Sequence, residues 1–331
     1  VNSALLSQLE AAWRARGDPA NAKVMRVFHG PGEGEGALRD VAIDRFGDHA
    51  WVTVWERKGT LPVAVPRAEI TQFLQGKGLR SAVLLDRPQQ NVPSEPVVIF
   101  GQPPSGRFEC QEGDLNFRIQ LLHTRHPGLF LDHAPLRQWL RKNARGWRVL
   151  NTFAYTGSLS VACGKAGAAY VTTLDLSKPT IRWAEENWDA NALPRDSARF
   201  IAGDAFDWLP RLRKKMERFD CIILDPPSFS RGPSGAFSTS QDLAALHELA
   251  FALLAPGGHL VTSINSANVT RTKFLSEIHT AAKASGLAKE DLLIVREITQ
   301  PPDTFPALAP EKDKDEESRY LKGWIFRSPT K

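Results

Sequence analysis

The chain has 331 residues, 42% of them hydrophobic, and a formal net charge of +5. Length and composition fit two ordinary globular domains; no apolar run is long enough for a bilayer and no basic-then-apolar leader opens the chain, so a cytoplasmic protein without a membrane partner is expected. Three cysteines, Cys110, Cys163 and Cys221, stand far apart without metal-ligand spacing, which fits buried thiols in a reducing compartment and gives no metal site, while the mild positive charge permits a polyanionic partner without requiring one.

Residues 5–13 have helical spacing and 24–29 read as a strand. Two alternating runs, 41–46 and 50–55, flank Gly47-Asp48 and predict a hairpin. A helix with proline near its start is expected over 66–74, with strands over 82–85 and 97–100. A second hairpin is expected from 107–110 and 115–121 around Glu112-Gly113-Asp114. Residues 87–96, rich in Pro, Gln and Ser, read as a loop. Together these make a small α+β unit, 1–121, for which a substrate-binding role is open.

From residue 122 the rhythm becomes strand–helix alternation, the mark of a parallel α/β sheet. Strands are expected at 148–153, 170–174, 199–202, 221–224, 259–263, 292–296 and 323–326. Helices are expected at 134–143, after Gly157, through Trp183 and Trp188, and at 206–216, 242–254 and 273–284. Ala255-Pro256-Gly257-Gly258 reads as a helix stop and turn.

Successive strand ends carry groups suited to one ligand. After the first, Ala154-Tyr155-Thr156-Gly157-Ser158 is a tight turn into a helix. Gly157 allows close approach of backbone to ligand, and unpaired N–H groups at the helix start favour a carboxylate. After the second comes Asp175-Leu176, roughly 20 positions on, where a carboxylate is placed to accept ribose hydroxyls. After the third, in Gly203-Asp204-Ala205, Asp204 is placed to accept from an adenine amino group, with Ala205 and Phe206 as apolar walls. Each acid alone is equally consistent with a helix N-cap. Their joint occurrence points to a ligand with carboxylate, ribose and adenine, which is S-adenosylmethionine. NAD fits less well, because no Gly-x-Gly-x-x-Gly is present and Tyr155-Thr156 would crowd a pyrophosphate.

The fourth strand runs into Asp225-Pro226-Pro227-Ser228-Phe229. The prolines stop it abruptly and hold Asp225 at the carboxyl edge of the sheet, where ligands bind in open α/β folds. A rigid acceptor beside the flat face of Phe229 suits a planar, hydrogen-bonding substrate such as a nucleobase. Asp225 and Phe229 are therefore the expected catalytic residues. Pro227, Ser228, Arg231 and Lys322 are expected to meet substrate, although Arg231 reads equally well as a solvent-exposed loop residue and Lys322 as a brace for the last strand.

Gly128-Leu129-Phe130-Leu131-Asp132, Phe153-Ala154-Tyr155-Thr156-Gly157, Asp225-Pro226-Pro227-Ser228-Phe229 and Arg319-Tyr320-Leu321-Lys322-Gly323 occur in this order. The set resembles the class I methyltransferases of large-subunit ribosomal RNA, a family that includes cytosine-C5 and guanine-N7 enzymes. The resemblance covers most of 120–328, and the preceding unit looks like that family's central domain. It implies a Rossmann-like methyltransferase domain over 122–331 with a mostly parallel seven-stranded sheet, S-adenosylmethionine as methyl donor, a bacterial cytoplasmic setting and large-subunit rRNA as partner. It further implies a cofactor shell of Phe130, Asp132, Phe153, Tyr155, Thr156, Gly157, Ser158, Asp175, Leu176, Gly203, Asp204, Ala205, Asp225 and Pro226.

The chain departs from the resemblance at three places. The cytosine-C5 branch carries a nucleophilic cysteine in a Ser-Cys-Ser segment, where this chain has Ser263-Ile264-Asn265-Ser266. Pyrimidine carbon 5 is a poor nucleophile without prior thiolate addition, so a nitrogen acceptor and direct displacement are expected instead. The basic residue usual after Phe-Leu-Asp is absent, since Asp132-His133 is followed by Ala134, though Arg137 stands near. The small RNA-binding domain that often precedes the central domain is not expected in this chain, since the stretch before that domain leaves no room for it. Two other readings remain: a small-molecule or protein methyltransferase on the same fold, and a non-catalytic RNA-binding module that retains the pocket. Self-association is left open.

Overall fold

The computed structural model describes residues 2–16, 23–56, 64–87, 94–232, 235–239, 241–266, 268–301 and 320–330. The chain divides into two compact units, Val1–Asp132 with Gln300–Arg319, and His133–Thr299 with Tyr320–Lys331.

The first unit runs α1 (Ser3–Ala15), β1 (Val24–His29), α2 (Gly30–Glu33), β2 (Val41–Phe46), β3 (His49–Trp55), α3 (Arg67–Gly76), β4 (Ser81–Arg87), β5 (Val97–Gly101), β6 (Phe108–Glu112) and β7 (Leu115–Ile119). Strands β1 to β5 pair in sequence order, all antiparallel except β3 with β4, and β6–β7 form a separate hairpin. Buried Leu9, Ala12 and Trp13 of α1 and Ile70, Phe73 and Leu74 of α3 seal its core, with Trp13 edge-on to Phe73. This is the expected α+β unit. The short helix α2 has no apolar periodicity to announce it.

The second unit runs α4 (Ala134–Asn143), β8 (Arg148–Thr152), α5 (Ser158–Lys165), β9 (Tyr170–Asp175), α6 (Lys178–Ala190), β10 (Ala198–Ala202), α7 (Ala205–Lys214), β11 (Phe219–Leu224), β12 (Phe229–Gly232), β13 (Gly235–Ser238), α8 (Leu243–Phe251), β14 (Leu254–Ile264), α9 (Arg271–Ala284), β15 (Leu293–Glu297) and β16 (Lys322–Arg327). Its seven-stranded sheet has the order β10-β9-β8-β11-β14-β16-β15. Strands β10, β9, β8, β11 and β14 are mutually parallel, and β16 is antiparallel to both of its neighbours. The expected mostly parallel, doubly wound sheet is therefore present. Strand order reverses between β8 and β11, the topological switch point at which such sheets bind ligands. The central strands are apolar throughout because helices cover both faces; Leu150, Leu174, Ile222, Leu224 and Leu260 all lie in one core cluster.

Two features differ from expectation. Ala255–Gly258 lie inside β14 rather than before it: the ladder passes from Phe219↔Leu254 to Cys221↔His259, so the extra residues are absorbed as an irregularity. Gly257 adopts φ +72° and donates its N–H to the Pro329 carbonyl at 2.7 Å, which replaces the missing ladder bond. Beyond the prolines the chain also forms a short antiparallel hairpin, β12–β13, that the sequence pattern does not signal.

Candidate active site

The switch-point turn begins where β8 ends. Phe153 and Tyr155 have φ of +53° and +49°, and Gly157 follows at +73°. Left-handed non-glycine residues cost free energy and persist where surroundings enforce them. Here the enforcing contacts are visible. Tyr155 N–H donates to Asp175 Oδ2 at 2.9 Å, Ala154 N–H to the Leu174 carbonyl at 3.1 Å, and Asn187 Nδ2 to the Thr156 carbonyl at 2.8 Å. Below the turn, Asn151 Nδ2 and Thr173 Oγ1 both donate to Ser160 Oγ, pinning α5 to the sheet. Gly157 has a packing reason as well as the expected one: a Cβ there would meet Ala184 Cβ on α6 at 2.9 Å. Ser158 then opens α5 with its first N–H groups directed to the same edge.

Asp175 ends β9, the neighbour of β8. Its Oδ1 accepts the Ser177 N–H at 3.0 Å, so each oxygen carries one backbone donor and keeps lone pairs for a ligand. Burial pushes its carboxyl above the usual range, opposed by those two backbone bonds. Leu176 follows and is 43% exposed, an apolar face beside the carboxylate.

On the next strand, Asp204 is the N-cap of α7, with Oδ1 accepting the Phe206 N–H at 2.9 Å. The capping reading weighed for it is thus a real part of its role. Gly203 is demanded by the indole of Trp208, whose Nε1 would lie 2.1 Å from a Cβ at that position. Ala205 is buried behind the turn.

Between β8 and β14 stands the Asp225 corner. The register Leu224↔Thr152 and Leu224↔Thr262 sets Asp225 beside Phe153 on one side and Ser263 on the other. Ser263 Oγ donates to Asp225 Oδ1 at 2.6 Å, and His133 Nε2 lies 3.4 Å from Oδ2. Pro226 is buried and Pro227 exposed. Ser228 Oγ donates to the Asn265 carbonyl at 3.1 Å, and its own carbonyl accepts from Thr239 N–H, so this serine holds the corner closed. Phe229 is 55% exposed at the start of β12. The hairpin that carries it is anchored by Phe237, whose ring lies 5.9 Å from that of Phe153 and 5.7 Å from that of Phe206.

Lys322 begins β16 opposite Ile264, at this same edge, and its buried Nζ donates to the Ser266 carbonyl at 2.9 Å. That contact is the bracing one of its two sequence readings. The Arg231 side chain and Arg319 lie outside the described residues. Phe130, stacked on His126 with centroids 3.9 Å apart, and Asp132 belong to the first unit. His133, Ser263 and Phe237 were not signalled as site residues by the sequence. The one available cue was the polar pair Thr262-Ser263 following the apolar Leu260-Val261 near the end of the strand.

All three cysteines are buried. Burial pushes the Cys110 thiol up to about 12 and raises Cys163 and Cys221 well above the ordinary thiol range. No thiolate is therefore poised for nucleophilic chemistry.

A family profile described as S-adenosylmethionine-dependent methyltransferase matches residues 26–315. Ribosomal RNA large subunit methyltransferase K/L of Shewanella pealeana is 30% identical over 267 residues, which are 76% of this chain and 35% of that protein. A Bacillus subtilis protein provisionally assigned as a ribosomal RNA large subunit methyltransferase is 31% identical over 304 residues, covering 90% of this chain and 75% of that one. The chain spans about a third of the length of the K/L relatives it matches. A crystal structure of a provisionally assigned methyltransferase complexed with SAH has a TM-score of 0.85 and 26% identity, covering 98% of this chain and 81% of that chain.

Proposed function

We propose that this chain, which belongs to the S-adenosylmethionine-dependent methyltransferase family, methylates a nitrogen of a base in large-subunit ribosomal RNA by direct displacement. The observation that carries the reading is the Asp225 corner: a carboxylate held on one oxygen by Ser263 with His133 Nε2 3.4 Å from the other, at a sheet switch point, with a half-exposed aromatic ring four residues on.

The residues fit the cofactor. Asp175 keeps a lone pair on each oxygen beside the exposed Leu176, which suits a ribose diol next to a base. The N-terminus of α5 suits a carboxylate. When bound, S-adenosylmethionine supplies an electrophilic methyl group on a sulfonium. The chain's own work is then positioning. Asp225 accepts an N–H of the acceptor base and so fixes where its nitrogen points, and Phe229 stacks on the ring. Raised thiols and Asn265 support a route without covalent addition to the base. In this reading the cofactor shell extends over the turns named above. The catalytic domain begins near residue 122 and the preceding α+β unit contacts RNA. The setting is the bacterial cytoplasm; among the described residues no helix is long and apolar enough to cross a membrane.

The test is methyl transfer from tritium-labelled S-adenosylmethionine to protein-free large-subunit rRNA, followed by nucleoside mass mapping. Methylation of a base nitrogen is expected. 5-Methylcytosine as product overturns the chemistry, and transfer to proteins or small metabolites but not to RNA overturns the substrate class.

A further inference from the structure

We infer that His133 is a positioning residue: together with Ser263 it locks the Asp225 carboxylate in the rotation that faces an acceptor base. The inference rests on the reading of Asp225 given above.

A carboxylate is held only softly about its terminal torsion, which has broad wells rather than sharp rotamers. An acceptor that must define a direction therefore needs a donor on each oxygen. Ser263 supplies one at 2.6 Å. It is delivered by the parallel register of β11 and β14, and it is backed by Gly323, where a Cβ would meet the Thr262 carbonyl at 2.5 Å and Ser263 Cα at 3.0 Å. His133 Nε2 stands 3.4 Å from the other, near enough to become its donor on a small tightening. It sits at the N-cap position of α4 but makes no capping bond, so its ring is not spent on the helix. Buried Leu136, Arg137 and Leu140 fix that helix in place.

The side chain of His133 is 7% exposed, and among the described residues Asp225 is its one polar contact. Its Nδ1 is buried with no hydrogen-bond partner. The network therefore assigns the neutral tautomer with the proton on Nε2, aimed at Asp225. His133 is then a donor held in place by its helix. At 3.4 Å the contact is longer than a formed hydrogen bond, a common state of catalytic contacts before substrate tightens them.

Two full-chain variants separate positioning from packing. His133→Leu keeps the volume and removes the donor, whereas His133→Gln returns an amide N–H at the reach of Nε2. On protein-free large-subunit rRNA, His133→Leu should lose roughly 10- to 100-fold in kcat with KM and S-adenosylhomocysteine affinity unchanged, and His133→Gln should recover most of the loss. Should His133→Leu fail to fold, His133→Asn, whose shorter amide matches Nδ1, takes its place, and equal turnover of the Asn and Gln variants overturns the inference. Wild-type turnover in His133→Leu beside an inactive Asp225→Ala overturns it alone; wild-type turnover in Asp225→Ala overturns the reading beneath it. Independently of any substrate, 15N NMR of histidine-labelled protein at neutral pH should show His133 protonated on Nε2 only. A proton on Nδ1 overturns the assignment.

Discussion

The carboxylates along the sheet edge are held by two different means. On the proposed cofactor half, Asp175 accepts backbone N–H groups from Tyr155 and Ser177, and Asp204 accepts one from Phe206. On the proposed acceptor half, Asp225 is met by the side chains of Ser263 and His133, delivered by β14 and by the start of α4. Backbone donors survive every side-chain change except one to proline, so these two carboxylates are held once the turns form. The acceptor half depends on individual side chains and can be retuned by single substitutions without disturbing donor binding. Catalysis and cofactor affinity should therefore separate cleanly by mutation.

Asp225→Ala is the largest test of that separation. Turnover should fall on the order of a hundredfold or more, because an oriented acceptor is lost in the transition state, while S-adenosylhomocysteine affinity stays near wild type. Calorimetry and methyl transfer on the same preparation check this. A parallel loss of both, in step with a falling melting temperature, would mean the corner only supports the fold.

The mirror experiment on the other half is Asp175→Ala. Two charge-assisted bonds to a ribose are worth roughly 3 kcal/mol together, or about a hundredfold in affinity. The same change strips acceptors from Tyr155 and Ser177, so the melting temperature should fall too. Asp175→Asn, which keeps an acceptor oxygen, should lose less of both. Unchanged calorimetric affinity in Asp175→Ala would sink the assignment of this strand end.

The same contrast explains what could be read from the sequence. The strand-end acids announce themselves because their supports are local: a tight turn, a spacing, a helix start. The α/β alternation is equally legible, since each strand is a short apolar run flanked by punctuation. His133 could not be found this way, because its pairing with Asp225 exists only once α4 packs against the sheet. Phe237 was hidden for the same reason; nothing in Gly235-Ala236-Phe237-Ser238 says that its ring meets Phe153 and Phe206. Pro256-Gly257-Gly258 misled in the opposite direction. Turn chemistry was read correctly as local backbone demand, but the ladder to β11 tolerates it as a bulge.

Phe229→Ala should act on the acceptor half alone and more gently. The ring is half exposed, so folding should be little affected. Stacking on a base is worth roughly 1–3 kcal/mol, which should appear as a weaker RNA Kd or higher KM with cofactor affinity intact. Loss of cofactor affinity in this variant would show that the two halves are coupled through the β12–β13 hairpin.

The smallest effect should come from acid, and it too should fall on one half. His247 of α8 is fully buried between the Leu243 carbonyl at 2.6 Å from Nδ1 and Thr262 Oγ1 at 2.9 Å from Nε2. Burial holds its pKa down at about 4, against 6.5 for an ordinary histidine, with the Leu243 carbonyl opposing. A depressed folded value means that the unfolded chain takes up the proton first. The stability linked to His247 is therefore complete above pH 6.5 and is lost progressively as the pH falls toward 4. Between pH 7 and 5 the loss should be on the order of 1–2 kcal/mol. Thr262 precedes Ser263, so hydrogen exchange should quicken first in α8 and β14 and only later in the turns after β8 and β9. His29, held at about 3 in the first unit, adds a background of the same sign. The difference between wild type and His247→Gln, which cannot charge, isolates the share of His247 from that of His259 and His279, whose pKa values burial also lowers in the second unit. Identical pH profiles for the two proteins would show that this histidine does not couple acid to the acceptor half.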